Sequence, residues 1–216
     1  TDLSFAEAAA YQVAYLTAYV ALVRRGNLQA GETLLVHGAS GGVGMAAVDI
    51  GKLLGATVIA TGGSDAKLQR VLAYGADHVI NTEHGFREQV KALTGGRGAD
   101  VIYDPVGGDI FDESTRCINF DGRLLIIGFT SGRIASVSTN IPLIKGFSVM
   151  GVRAGEYGRQ FPEKGAENLQ IIWDWVREEK TRPHVHAELP LSQSVEGFRM
   201  LQQREVIGKL VICPDR

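Results

Sequence analysis

Leu34-Leu35-Val36-His37-Gly38-Ala39-Ser40-Gly41-Gly42-Val43-Gly44-Met45-Ala46-Ala47 runs from an apolar strand through a glycine-rich turn into the small-residue opening of a helix. Glycine admits positive φ and lets backbone amides approach a phosphate closely. The unpaired N–H groups of the first helical turn, together with the helix dipole, then supply an anion site. The spacing is Gly38-x-x-Gly41-x-x-Gly44 rather than G-x-G-x-x-G, because Ala39-Ser40 stand where one residue is usual. Flanked by a strand, a helix and a second β-unit, the turn reads as a cradle for a dinucleotide pyrophosphate. The plainer alternative is a glycine turn that only packs the helix close to the sheet.

Working outward, the 216 residues make one domain, or one and a fraction, with enough chain to bury a sizeable core. Hydrophobic content of 45% and charged content of 21% are those of an ordinary globular protein. The net charge of −2 and the lack of a basic run argue against nucleic acid or an anionic membrane surface as the main partner. Cys117 and Cys213 lie far apart in apolar contexts, without metal-ligand spacing, so a reduced, cytoplasmic protein with two small core thiols is expected. Phe5 to Val23 is apolar, but Glu7 and Gln12 interrupt it and no basic segment precedes it. It therefore reads as neither a membrane span nor a signal peptide. The start at Thr1 rather than Met reads as a fragment.

In chain order, Leu3 to Arg25 reads as one helix, with Ser4 and Glu7 placed for a capping box and apolar residues over most of its circumference. Apolar strands are expected at Thr33–His37, Ala56–Thr61, His78–Ile80, Val101–Tyr103, Gly122–Ile127 and Phe147–Val152. Helices are expected from Val43 to Leu54, Asp65 to Ala73, Phe86 to Leu93 and Ile110 to Ile118. Strands alternating with helices, each strand a continuous apolar run, specify a parallel sheet covered on both faces. The fold class is α/β, a Rossmann-type doubly wound sheet of six strands in the order 3-2-1-4-5-6. Beyond it, Arg153 to Gly165 reads as a polar loop, followed by a helix from Ala166 to Glu179, an extended stretch from Pro183 to Pro190, a helix from Val195 to Gln203 and a strand from Lys209 to Cys213. These last elements call for another sheet to join. The chain divides into an opening helix and linker (1–30), the dinucleotide-binding domain (31–152) and carboxy-terminal helices and strands (153–216).

Ligands of open α/β sheets lie outside the carboxyl ends of the strands, so the strand tips carry the site. The second strand ends in Thr61-Gly62-Gly63-Ser64-Asp65-Ala66-Lys67, with no acid at its tip to accept from a ribose 2′-OH. Gly63 leaves room for a phosphate, Ser64 offers a hydroxyl and Lys67 a charge-assisted contact, which favours NADP(H) over NAD(H). Asp65 argues the other way unless it serves only as a first-turn acid. Asn81, at the third tip, reads equally as an adenine neighbour or a turn residue. Pro105-Val106-Gly107-Gly108 and Gly128-Phe129-Thr130-Ser131 are glycine-bearing loops where a nicotinamide ribose rests, and Phe129 either flanks the nicotinamide or simply packs. The five histidines form no metal set and no catalytic triad is spaced for nucleophilic work.

Gly38-Ala-Ser-Gly-Gly-Val-Gly44, Gly63-Ser-x-x-Lys67, Tyr103-Asp-Pro-Val-Gly107 and Gly208-Lys-Leu-Val211 together resemble the zinc-free quinone oxidoreductase branch of the medium-chain dehydrogenase/reductases. The resemblance runs from end to end and includes Thr17-Ala18-Tyr19 of the opening helix. It implies an NADPH-dependent reductase that passes hydride to a small electrophile, a quinone or an α,β-unsaturated carbonyl, with an acrylyl- or enoyl-thioester reductase as the nearest rival. By the same resemblance Gly41, Gly42, Val43 and Gly44 hold the pyrophosphate, Ser64 and Lys67 the 2′-phosphate beside Gly63, and Ser40, Asn81 and Lys209 count among the cofactor-binding residues. Val106, Gly128, Phe129 and Ser131 line the ribose and nicotinamide, and Thr17 approaches the ring. It also implies a homodimer, paired through the sixth strands. The amino-terminal GroES-like catalytic domain of such proteins has no counterpart here, which leaves a non-catalytic cofactor-binding module as the reading of a different class.

Overall fold

A computed structural model describes residues 3–214. Six strands form the main sheet: β1 (Thr33–Val36), β2 (Thr57–Gly62), β3 (His78–Asn81), β4 (Ala99–Asp104), β5 (Ile118–Ile126) and β6 (Ser148–Gly151). Their order is β3-β2-β1-β4-β5-β6, and every neighbouring pair is parallel. Helices α1 (Phe5–Tyr19), α2 (Gly42–Leu53), α3 (Asp65–Tyr74), α4 (Arg87–Leu93) and α5 (Gly108–Ser114) cover the two faces. Alternate residues of each strand feed opposite layers. Leu34, Val36, Val58, Ala60, Val101, Tyr103 and Leu125 pack with α1 and α2, whereas Leu35, Ile59, Ile80, Ile102 and Leu124 pack with Phe86, Val90 and Phe111. Burial of both parities explains why the strands read as continuous apolar runs.

The capping box forms: Glu7 N–H donates to Ser4 Oγ at 3.1 Å and Ser4 N–H to Glu7 Oε2 at 2.8 Å. Beyond Tyr19 the helix does not continue as expected but widens into a π-helical turn, Val20–Arg25, closed by Gly26 N–H on Ala21 O at 2.7 Å. A Cβ on Gly26 would lie 3.0 Å from Leu125, so the backbone meets the sheet directly there. Nor is α1 buried all round. Tyr11, Ala14, Tyr15 and Ala18 are inside, but Phe5 is 95% and Val13 66% exposed, because α2 and a later helix cover one side only.

Three further departures concern the second half of the chain. Helix α6 (Asn140–Lys145) precedes β6; its Pro142 sits in the first turn, where no intrahelical N–H is lost. The stretch expected as a polar loop after β6 is helix α7 (Ala154–Gln160), followed at once by α8 (Pro162–Arg177). Its glycines mark a close helix crossing rather than a loop: a Cβ on Gly165 would lie 2.9 Å from Gly158 Cα. Finally, β7 (Val185–Pro190) and β8 (Lys209–Cys213), joined by α9 (Ser194–Gln202), find a sheet partner in each other, pairing in parallel. Cys213 on β8 is half-buried rather than a core thiol, while Cys117 is buried. Among the described residues, no helix is long and apolar enough to cross a membrane.

Candidate functional site

The turn after β1 is fixed on both sides. His37 N–H donates to Tyr103 O of β4 and Ala39 N–H to Thr61 O of β2, each at 3.0 Å. Gly38 takes φ +56, and a Cβ on Gly44 would lie 2.4 Å from Gly38 O, so the third glycine lets α2 start directly against the turn. Gly41 caps α2 without a side chain, and no acid stands in the first helical turn. No side chain caps the first amides of α2, an arrangement that suits an anion. Beneath the turn lies His37, 1% exposed, with Nδ1 2.7 Å from Thr61 Oγ1 and Nε2 2.8 Å from Ser114 Oγ. Ser114 Oγ donates to Ile110 O at 2.7 Å, so it accepts from His37 Nε2–H, and Nδ1 accepts from Thr61. Burial holds the ring neutral, with its pKa lowered to about 3.

At the tip of β2, Ser64 caps α3 by position, yet its hydroxyl makes no capping hydrogen bond. A Cβ on Gly63 would meet nothing within 4 Å. Asp65 accepts from Asn81 Nδ2 at 2.8 Å, and Asn81 Oδ1 accepts from Glu83 N–H at 3.0 Å. Asn81 thus ties down the first acid of α3 while capping the turn after β3. Lys67 is not free: Nζ donates to Val206 O at 3.0 Å and to Arg204 O, and lost hydration lowers its pKa.

The β4 and β5 tips interlock. Buried Asp104 accepts from Val106 N–H at 2.8 Å and Gly107 N–H at 2.9 Å, with its carboxyl pKa pushed up by burial. Thr130 N–H donates to Pro105 O at 3.1 Å and Ser131 N–H to Val106 O at 3.0 Å. The half-exposed Phe129 ring crowds Gly107, and Val106 Cγ2 lies 3.3 Å from the Cβ position of Gly38. Val106 and Pro105 therefore meet the glycine turn at the point where the strand order reverses, with Gly128 packed on Pro105 and Phe129 on Gly107 behind them. Ser131 Oγ engages the backbone of Arg133 at 3.3 Å. Thr17 Oγ1 donates to Val13 O of its own helix at 2.7 Å.

Lys209 reaches the site from β8. Its Cδ lies 2.7 Å from the Cβ position of Gly42, and the neighbouring Gly208 N–H donates to Ser40 O at 2.8 Å. His37, Asp104 and the Arg204–Val206 carbonyls were not singled out from the sequence. The Asp104-Pro105 pair carried a turn signal; the carbonyls carried none, since any residue supplies one. Among the described residues no three His, Cys, Asp or Glu side chains are grouped to hold a metal. A cleft of about 710 Å³ opens elsewhere, between the start of α1 and β7, lined by Glu7, Tyr74, Arg182 and His184 among others.

A doubly wound six-stranded sheet whose switch point carries an uncapped, glycine-lined helix start defines a dinucleotide-binding α/β protein. The chain belongs to the zinc-binding dehydrogenase family, whose profile matches residues 42–170. It is 37% identical over 215 residues to a quinone oxidoreductase-like protein 2 homolog of Nematostella vectensis, covering 98% of this chain and 59% of the relative. The Bos taurus quinone oxidoreductase-like protein 2 is 38% identical, covering 97% of this chain and 61% of that protein. The chain thus spans about three fifths of the length of these curated relatives. A mycobacterial protein solved with NADPH superposes with a TM-score of 0.92 at 27% identity, over 99% of this chain and 66% of the other. The CurK enoyl reductase superposes with a TM-score of 0.89 at 28% identity, over 100% and 64% of the two chains.

Proposed function

We propose that this chain is the NADP(H)-binding portion of a zinc-independent oxidoreductase that delivers hydride to a quinone or another α,β-unsaturated carbonyl. The observation that carries the reading is the β2 tip, where Gly63 leaves open space, Ser64 keeps its hydroxyl uncommitted and Lys67 brings an ammonium, with Asp65 turned to Asn81. That set suits a 2′-phosphate and offers no carboxylate to a bare 2′-OH. The cofactor, when bound, supplies the hydride. The protein orients it: the α2 amides and Lys209 hold the pyrophosphate, and the interlocked β4 and β5 loops fix Val106, Gly128 and Phe129 against the nicotinamide ribose. Ser131 and Thr17 are the further residues that would line the nicotinamide side. No acid–base residue is assigned, and rate comes from placement of donor against acceptor. Two copies pair through the free edge of β6.

The NADPH-bound neighbour supports the cofactor, and the enoyl reductase neighbour favours a second reading in which the acceptor is an enoyl thioester. Calorimetry with NADPH and NADH, followed by NADPH oxidation with 1,4-benzoquinone or a 2-enoyl thioester, tests both. NADPH binds the tighter, and Lys67→Ala lowers its affinity about tenfold or more while leaving NADH within about twofold. Equal binding of the two cofactors overturns the assignment. Saturable NADPH binding with neither acceptor reduced instead supports a non-catalytic module.

A further inference from the structure

Lys67 lies just beyond the carboxyl end of α9, where it meets the carbonyls of Arg204 and Val206. The end is shaped by a left-handed residue. Arg204 has φ +57, its N–H donates to Leu201 O at 3.1 Å, and Glu205 N–H donates to Met200 O at 2.9 Å. This paired closure turns the Arg204 and Val206 carbonyls toward Lys67. Four residues after Arg204, Gly208 N–H binds Ser40 O, and Lys209 then crosses Gly42. One short segment therefore touches the glycine turn and the β2 tip at once.

We propose that Arg204–Lys209 is a specificity strap that aims Lys67 at the 2′-phosphate of the cofactor. The inference rests on the NADP(H) reading above. An ammonium has three donors. The strap takes two and leaves one for the phosphate. Because the strap binds Lys67 through neutral carbonyls rather than a carboxylate, the full positive charge stays available. The long side chain is already ordered before the ligand arrives, which removes a rotamer cost from binding. Glu205 and Arg204 act on the ammonium with opposite signs.

The test is calorimetry with adenosine 2′,5′-bisphosphate and 5′-AMP, which differ only in the 2′-phosphate. Arg204→Val forces a β-branched residue into positive φ and redirects the carbonyl, whereas Arg204→Gly removes the same charge and keeps the turn. Val206→Ala loosens the strap from inside. The expected result is a fall of about fivefold or more in the bisphosphate-to-AMP preference for Arg204→Val and Val206→Ala, with Arg204→Gly close to the parent protein. AMP affinity, unchanged within about twofold, shows that each variant is folded. Preference lost in Lys67→Ala but kept in Arg204→Val and Val206→Ala overturns the strap alone. An equal fall in Arg204→Gly and Arg204→Val assigns the effect to side-chain charge and overturns it too. Preference kept in Lys67→Ala overturns both the strap and the 2′-phosphate assignment beneath it.

Discussion

His37 ends the strand that leads into the glycine turn, and both its ring nitrogens are bonded within the fold. Burial lowers its folded pKa to about 3, well below the ordinary 6.5 of a histidine. Below pH 6.5 the unfolded chain takes up a proton that the folded ring refuses. The ring's contribution is therefore complete above pH 6.5 and shrinks as pH falls toward 3, by about 1.4 kcal/mol per pH unit. Urea unfolding at pH 7 and pH 5 checks this: the parent protein should lose about 2 kcal/mol more than His37→Gln over that interval. Equal losses in the two proteins would show that the ring charges freely in the folded state. Lys67 makes the same point about environment. Its residue type and its distance from Gly63 were legible in the sequence; the carbonyls that hold it, from a segment 137 residues away, were not.

At the scale of elements, the stretch from Arg153 to Gly165 departs most from what its residue types alone imply. Glycine, arginine and glutamate suggested a loop because glycine has low intrinsic helix propensity. In the fold Gly158 and Gly165 are where α7 and α8 cross at backbone contact, and the missing side chains are the reason the crossing is possible. Two substitutions separate propensity from packing. Gly155→Ala in α7 meets nothing within 4 Å and should stabilise by about 0.5–1 kcal/mol. Gly165→Ala in α8 offers a similar propensity gain but places a methyl 2.9 Å from Gly158 Cα, and should destabilise by about 1–2 kcal/mol net. Thermal melts of both decide the matter, and stabilisation by Gly165→Ala would mean that the helices are not in contact. The α1 capping box lay in plain view because it is local in sequence. The π turn that follows it did not, because the approach of β5 to Gly26 is set by the sheet.

On the scale of the whole molecule, β6 is an edge strand with β5 as its one neighbour among the described residues. Unpaired edges invite another chain. Beside this edge Leu143 is 81% and Ile144 74% exposed, and Phe120, 77% exposed, lays its ring over Gly146 at the end of α6. In the proposed dimer a second copy pairing edge to edge would cover that apolar patch and continue the sheet. Light scattering should give a dimer for the parent protein and a monomer for Leu143→Glu/Ile144→Glu, and a parent monomer at micromolar concentration would remove the proposal.

The amino-acid sequence by itself determined the six-strand order, because continuous apolar runs between helical segments leave a doubly wound parallel sheet as the economical solution. It also determined the glycine turn, since Gly38 needs positive φ and Gly44 needs a bare backbone, both properties of single residues. Tertiary structure alone decided the partners: β7 with β8, His37 with Thr61 and Ser114, Lys67 with the Arg204 and Val206 carbonyls. These contacts join residues distant in the chain, through groups such as backbone carbonyls that every residue carries. Residue type and spacing record what a side chain can do, and only the folded path of the chain records what it meets.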